Sequence, residues 1–145
     1  MNDRYLYRAK RTDNGEWVEG NLVWSDDAVD DYKAIIIPTT DSNMFTRGGA
    51  RGDLGFENWC RVDPSTICQC TGLKDKNGKL IWENDIVNVS TNKGNTLCEA
   101  RYADSVAQFQ LWQLKTLPKT STVLNLGNYE EEVWGNIFDN PELLE

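Results

Sequence analysis

Histidine is absent from the 145 residues. That removes the Ser-His-Asp triad, the Cys-His pair and imidazole-ligated metal centres in their usual forms. Cysteine is sparse: Cys60, Cys68, Cys70 and Cys98 are separated by seven, one and twenty-seven residues. A Cys₄ zinc site wants two closely spaced C-x₂₋₄-C pairs, and this spacing supplies none. Cys68 and Cys70 fall on the same face of a strand, as two small packing side chains do. No apolar run approaches the ~20 residues of a membrane span, and the N-terminal stretch MNDRYLYRAK has no signal-peptide core. These readings give a soluble cytoplasmic protein, with no membrane partner, no structural disulfide and no cofactor.

Basic residues are also in the minority, 15 against 23 acidic, for a net charge of −8. Binding to a phosphate backbone needs clustered Lys and Arg, so direct nucleic-acid binding is not expected. An acidic surface serves solubility or meets a basic protein. With no base to activate a cysteine or serine and no distinctive carboxylate pair, the chain reads as a non-enzyme.

What the sequence has in quantity is turn chemistry and aromatic rings, with six Trp, five Tyr and four Phe. Val62 to Val89 is the densest part. Asp63-Pro64 stops a strand. Asn77-Gly78, between Leu73-Lys74-Asp75 and Lys79-Leu80-Ile81, predicts a type I′ hairpin turn in which both central residues take φ > 0. Trp82-Glu83-Asn84-Asp85 makes a second turn, and Ile86 to Val89 leaves it as an alternating strand. Thr12-Asp13-Asn14-Gly15 predicts a hairpin between Tyr5–Arg11 and Trp17–Trp24, with Val18, Leu22 and Trp24 on one face and Trp17 and Val23 on the other. Gly20 reads as a bulge or bend. Ala34-Ile35-Ile36-Ile37 is a short buried strand ended by Pro38.

No stretch has a helical period. The expectation is a mainly β fold of about seven to ten short antiparallel strands. They form a small twisted barrel or a two-sheet arrangement, with a short C-terminal helical turn at Asn140-Pro141-Glu142-Leu143-Leu144. By length, residues 1–145 form a single domain.

Thr71-Gly72-Leu73-Lys74-Asp75-Lys76-Asn77-Gly78-Lys79, with Ile81, Glu83, Asp85, Ile86 and Val87 after it, resembles the signature of the YopX family. Gly15-Glu16-Trp17-Val18-Glu19-Gly20 and Val133-Trp134-Gly135-Asn136-Ile137-Phe138-Asp139-Asn140-Pro141-Glu142-Leu143-Leu144 agree with it. Asn84 departs, since the family commonly has Gly before the Asp-Ile-Val strand. The resemblance implies a small phage or prophage protein, hence the cytoplasm of a bacterial host, with a mainly β fold. It carries over no functional residue.

Thr39 to Arg61 reads as a long loop and is where function is expected. Its candidate ligand- or partner-binding residues are Arg47, Gly48, Gly49, Arg51, Phe56 and Trp59. Successive glycines free backbone N–H groups for an anion nest, arginines pair with phosphate or carboxylate, and aromatics stack on a planar ring. The plainer reading is an ordinary flexible surface loop. The acids Asp26, Asp27, Asp30 and Asp31 fit no calcium loop and read as solvated, as do Glu130, Glu131 and Glu132.

Three functional expectations follow. The first is a phage accessory protein that binds a host or phage protein and forms a homo-oligomer, because several strands are apolar on both faces. The second is sequestration of a small anionic, nucleotide-like ligand. The third is regulation of transcription through protein contacts.

Overall fold

The computed structural model describes residues 2–25, 33–40, 44–47, 53–114 and 123–145, the side chains of 44–47, 53 and 54 excepted. The acidic stretch at Asp26 to Asp31 and the residues around Pro118 lie outside the described residues. The chain is mainly β, with two antiparallel sheets and isolated 3₁₀ turns at Asp3–Tyr5, Pro64–Thr66 and Pro141–Leu144. Of the two expected architectures, the two-sheet arrangement is the observed one; among the described residues there is no closed barrel. The chain divides into two compact units, Tyr5–Gln69 and Met1–Arg4 with Cys70–Glu145.

In the first unit the strands are β1 (Tyr7–Lys10), β2 (Trp17–Trp24), β3 (Ala34–Pro38), β4 (Met44–Arg47), β5 (Asp53–Phe56) and β6 (Cys60–Arg61). The ladder runs β6-β3-β2-β1, and Cys68 and Gln69 at the start of β7 (Cys68–Lys74) pair on β1. Alternation puts Ala9, Ala34, Ile36 and Val62 on one face as a core, with Tyr7, Val18, Leu22 and Ile67 packed against it.

Gly20 is not a bulge, since its pairing to Tyr7 on one side and Pro38 on the other is regular. It is glycine because a Cβ there would overlap the Ile37 carbonyl. The expected loop over Thr39–Arg61 contains a small ladder, β4 on β5, and then β6. Runs of four residues were too short for their alternation to register. Asp63 does end the strand: its side chain accepts the Ser65 N–H at 3.0 Å and caps the Pro64–Thr66 turn.

In the second unit the rest of β7 pairs with β8 (Leu80–Trp82). The other strands are β9 (Asp85–Thr91), β10 (Gly94–Ala103), β11 (Gln108–Gln113), β12 (Val123–Asn125) and β13 (Glu130–Asn136), in the spatial order β12-β11-β10-β9-β13. That makes thirteen strands among the described residues, above the expected seven to ten, because several have only two to four residues. Ile81, Val87, Val89, Cys98, Ala100 and Leu111 form the core, each with no exposed surface. Burial of each aliphatic side chain contributes about 1.5–3 kcal/mol.

The turns of the central segment are held by two aspartates. The turn at Asn77-Gly78 is not type I′, for only Gly78 has a positive φ (81°). The Asp75 carboxylate takes over that control. Its Oδ1 accepts the N–H groups of Asn77 and Lys79, both at 2.9 Å, and its Oδ2 accepts that of Val133 at 2.9 Å. The backbone follows the side chain, and Asn77 keeps an ordinary φ.

At the next turn Asn84 is left-handed, at φ 69°, as its place in the motif requires. Its N–H donates to the Ala100 carbonyl at 2.7 Å and its own carbonyl accepts from Ile137 at 3.1 Å. The buried Asp85 accepts the Trp82 N–H at 2.8 Å.

The C-terminal stretch closes in the same manner. Asn136 Oδ1 accepts from Phe138 and Asp139, and Asn140 Oδ1 from Asn136 N. Asn140 therefore does not cap the Pro141–Leu144 turn with its side chain, contrary to its N-cap pattern. Gly135 leaves the space for it, since a Cβ would collide with the Asn140 carboxamide.

Candidate binding site

The face of the first sheet opposite its core begins with charge on an indole. The Arg8 guanidinium carbon lies 4.6 Å and the Lys10 ammonium 5.4 Å from the Trp17 ring centroid. This is cation–π geometry, and it covers an aromatic that the alternation of β2 turns away from the core. At the other end of the same face Val23 and Ile35 are register partners. With Ser25 and Trp59 they line an apolar depression of about 200 Å³. Trp59, which precedes β6, is 49% exposed.

Trp59 also borders a second, polar groove of about 350 Å³, shared with Arg11, Thr12, Asp13, Cys60 and Arg61. Its shape comes from strand pairing: an Arg11–Val62 bridge brings the first hairpin turn beside β6. Arg61 Nε donates to Thr12 Oγ1 at 3.2 Å, and Thr12 N to the Arg61 carbonyl at 3.0 Å. Arg11 clasps Asp13 with two bonds, Nε to Oδ1 at 2.9 Å and Nη2 to Oδ2 at 2.6 Å. That hydrogen bonding, with charge attraction behind it, holds the Asp13 carboxyl below its ordinary value and raises the guanidinium.

Of the residues singled out in the sequence, Trp59 is the one that stands at these depressions among the described residues. Phe56 is half-buried on β5 opposite Met44, and the backbone of Arg47 pairs with Asp53. Gly48, Gly49 and Arg51 lie outside the described residues. Arg11 and Arg61 were missed, because the pairing that joins them spans some fifty residues and leaves no local signal.

The cysteines are free thiols, with Cys68, Cys70 and Cys98 buried and Cys60 half-buried. Burial, aided by the Glu131 charge, pushes the Cys98 thiol up to about 11, which keeps it protonated and unreactive at neutral pH. Glu131 itself is 4% exposed, so it is no part of a solvated acidic run. As an alternate residue of β13 it takes the inward face, and its carboxylate accepts the Gly127 N–H at 2.8 and 3.2 Å. Desolvation raises its pKa, the hydrogen bond offsetting part of the shift.

Among the described residues no helix is long and apolar enough to cross a membrane. The fold and these surfaces define a two-sheet, mainly β protein whose turns are held by buried carboxylates and whose first sheet carries an exposed tryptophan between an apolar and an arginine-bearing depression. The sequence profile described as YopX protein matches residues 6–145, and the chain belongs to the YopX family. It is similar in structure to protein EF1440 from Enterococcus faecalis, known from its crystal structure. The two share 28% sequence identity over 96% of each chain, with a TM-score of 0.57. No curated protein matches the sequence.

Proposed function

We propose that this chain is a non-enzymatic phage or prophage accessory protein of the host cytoplasm that acts by binding a host or phage protein. The observation that carries the reading is the depression formed by Val23, Ile35 and Trp59. Its volume is below the ~300–1,000 Å³ of small-molecule pockets, and a rim tryptophan beside an apolar notch suits one anchoring side chain of a partner. Self-association belongs to the same reading. The test is affinity capture from host lysate with wild type and Trp59→Ala, followed by direct titration of whatever the wild type retains. The proposal expects at least about tenfold weaker binding by the variant. Equal binding by both proteins contradicts it. For self-association, a sedimentation profile that stays monomeric across concentration removes that part.

The polar groove favours a second reading, a small anionic ligand whose ring stacks on Trp59 while Arg61 meets its phosphate. Arg61→Ala should then cost about 1–3 kcal/mol of binding. A nucleotide panel that leaves the melting temperature unchanged counts against it.

A further inference from the structure

The inward face of the five-stranded sheet changes character along its length. Val87, Val89, Cys98, Ala100 and Leu111 are fully buried on it. One step further along the same face stand Thr91, Thr96 and Gln113, with Thr96 paired to Val89 and Gln113 to Cys98. Three polar side chains, all half-buried, thus occupy positions that continue the core. A cavity of about 730 Å³ opens there, walled by Leu124, Asn128 and Tyr129 and by the β9–β10 hairpin tip.

The tip is fixed from within. Ser90 Oγ donates to Asn95 Oδ1 at 2.9 Å and Thr91 Oγ1 to the Gly94 carbonyl at 2.9 Å. By contrast, the carboxamides of Gln113 and Asn128 and the hydroxyl of Thr96 make no side-chain hydrogen bond among the described residues. Such groups both donate and accept; Gln113 and Thr96 are half-buried and want partners, while the exposed Asn128 carboxamide can exchange water for a ligand.

Charge gives an anion no advantage, for among the described residues the cavity is lined by one cation, Lys93, and one acid, Glu130, which faces Lys76 at 3.7 Å. An apolar ligand is disfavoured because Leu124 is the lone aliphatic side chain in the wall among the described residues. A ligand with many hydroxyls and a flat apolar ring face matches every wall. We propose that this cavity is a binding site for a neutral oligosaccharide, with Tyr129, 40% exposed, as the stacking ring and Gln113, Asn128 and Asn95 as the hydrogen-bonding amides. The volume lies inside the range of small-molecule sites. The site belongs to the second unit and does not depend on the Trp59 surface.

The test is titration of the isotopically labelled protein with neutral gluco- and N-acetylgluco-configured tetrasaccharides, with adenosine monophosphate as a control, read by the side-chain amide NMR signals. The expected result is a saturable shift of the Gln113, Asn128 and Asn95 amides with at least one sugar. Tyr129→Ala and Asn128→Ala should each weaken it about tenfold with an unchanged melting temperature. The proposal is overturned if no sugar moves those amides up to about 10 mM, if the shifts map elsewhere, or if the nucleotide moves them at lower concentration than any sugar.

Discussion

Asp75 and Val133, 58 residues apart, are joined by a 2.9 Å hydrogen bond from the Val133 N–H to the buried Asp75 carboxylate. The pair connects the two stretches that resemble the family most closely, the central turn and the C-terminal segment. Nearby, Lys76 N donates to the Glu131 carbonyl at 2.8 Å, and the Lys76 ammonium faces Glu132 at 3.4 Å. The residues that identify the family are therefore a frame. Asp75 supports it electrostatically: burial works against the charge, but the N–H groups of Val133, Lys79 and Asn77, with the Lys79 charge, outweigh it, and its pKa is lowered.

Asn84 gives the first prediction. With φ at 69°, Asn84→Gly should leave stability equal or slightly higher, whereas Asn84→Ala should lose about 1–2 kcal/mol. Urea unfolding curves of the two variants check the order.

Gly20→Ala meets backbone, not a side chain that can swing away. The Ile37 carbonyl stands where the new methyl must go, so β2 and β3 must part locally. The expected loss is about 2–4 kcal/mol, seen as a lowered urea midpoint. A variant as stable as wild type would show that the two strands are farther apart than described.

Glu131 predicts a pH dependence. Its folded pKa lies above the unfolded one, so its contribution to stability is full below the unfolded pKa and is lost as pH rises through the folded value. Glu131→Gln keeps an acceptor for the Gly127 N–H and removes the buried charge. Its stability relative to wild type should therefore improve as the pH is raised from about 4 to 7. A difference constant over that window would contradict the assignment.

The Arg11–Asp13 pair is exposed, with side chains 36% and 62% accessible. Despite its short bonds, Asp13→Ala should leave the urea midpoint nearly unchanged, because solvent screens the pair. The same substitution frees the Arg11 guanidinium, so any anion bound in the Trp59 groove should bind more tightly. Calorimetry on wild type and variant separates the two effects.

The fold was legible where local chemistry acts alone. Period-two alternation marked β2 and β9, and Asp63-Pro64 and Asn84 announced their turns. It failed where a particular partner decides. Asn77 keeps a negative φ because the Asp75 carboxylate two residues before it controls the turn, Gly20 answers to Ile37 on the next strand, and Glu131 takes the inward face of β13, where its carboxylate accepts the Gly127 N–H. For the site, Trp59 could be picked as an aromatic in an unpatterned stretch. Arg11 and Arg61 could not, because only the pairing of the first hairpin with β6 makes them neighbours.

The central claim is that the Asp75 carboxylate holds the frame together, and equilibrium urea unfolding of Asp75→Ala across pH tests it most directly. At neutral pH the variant should lose about 3 kcal/mol, since three N–H groups lose a charged acceptor. Because the folded pKa of Asp75 is lowered, the wild-type advantage should hold above the unfolded value near pH 4 and shrink as acid takes the pH down through the folded one. Equal midpoints for the two proteins at neutral pH, or an advantage that persists undiminished in acid, would contradict the account.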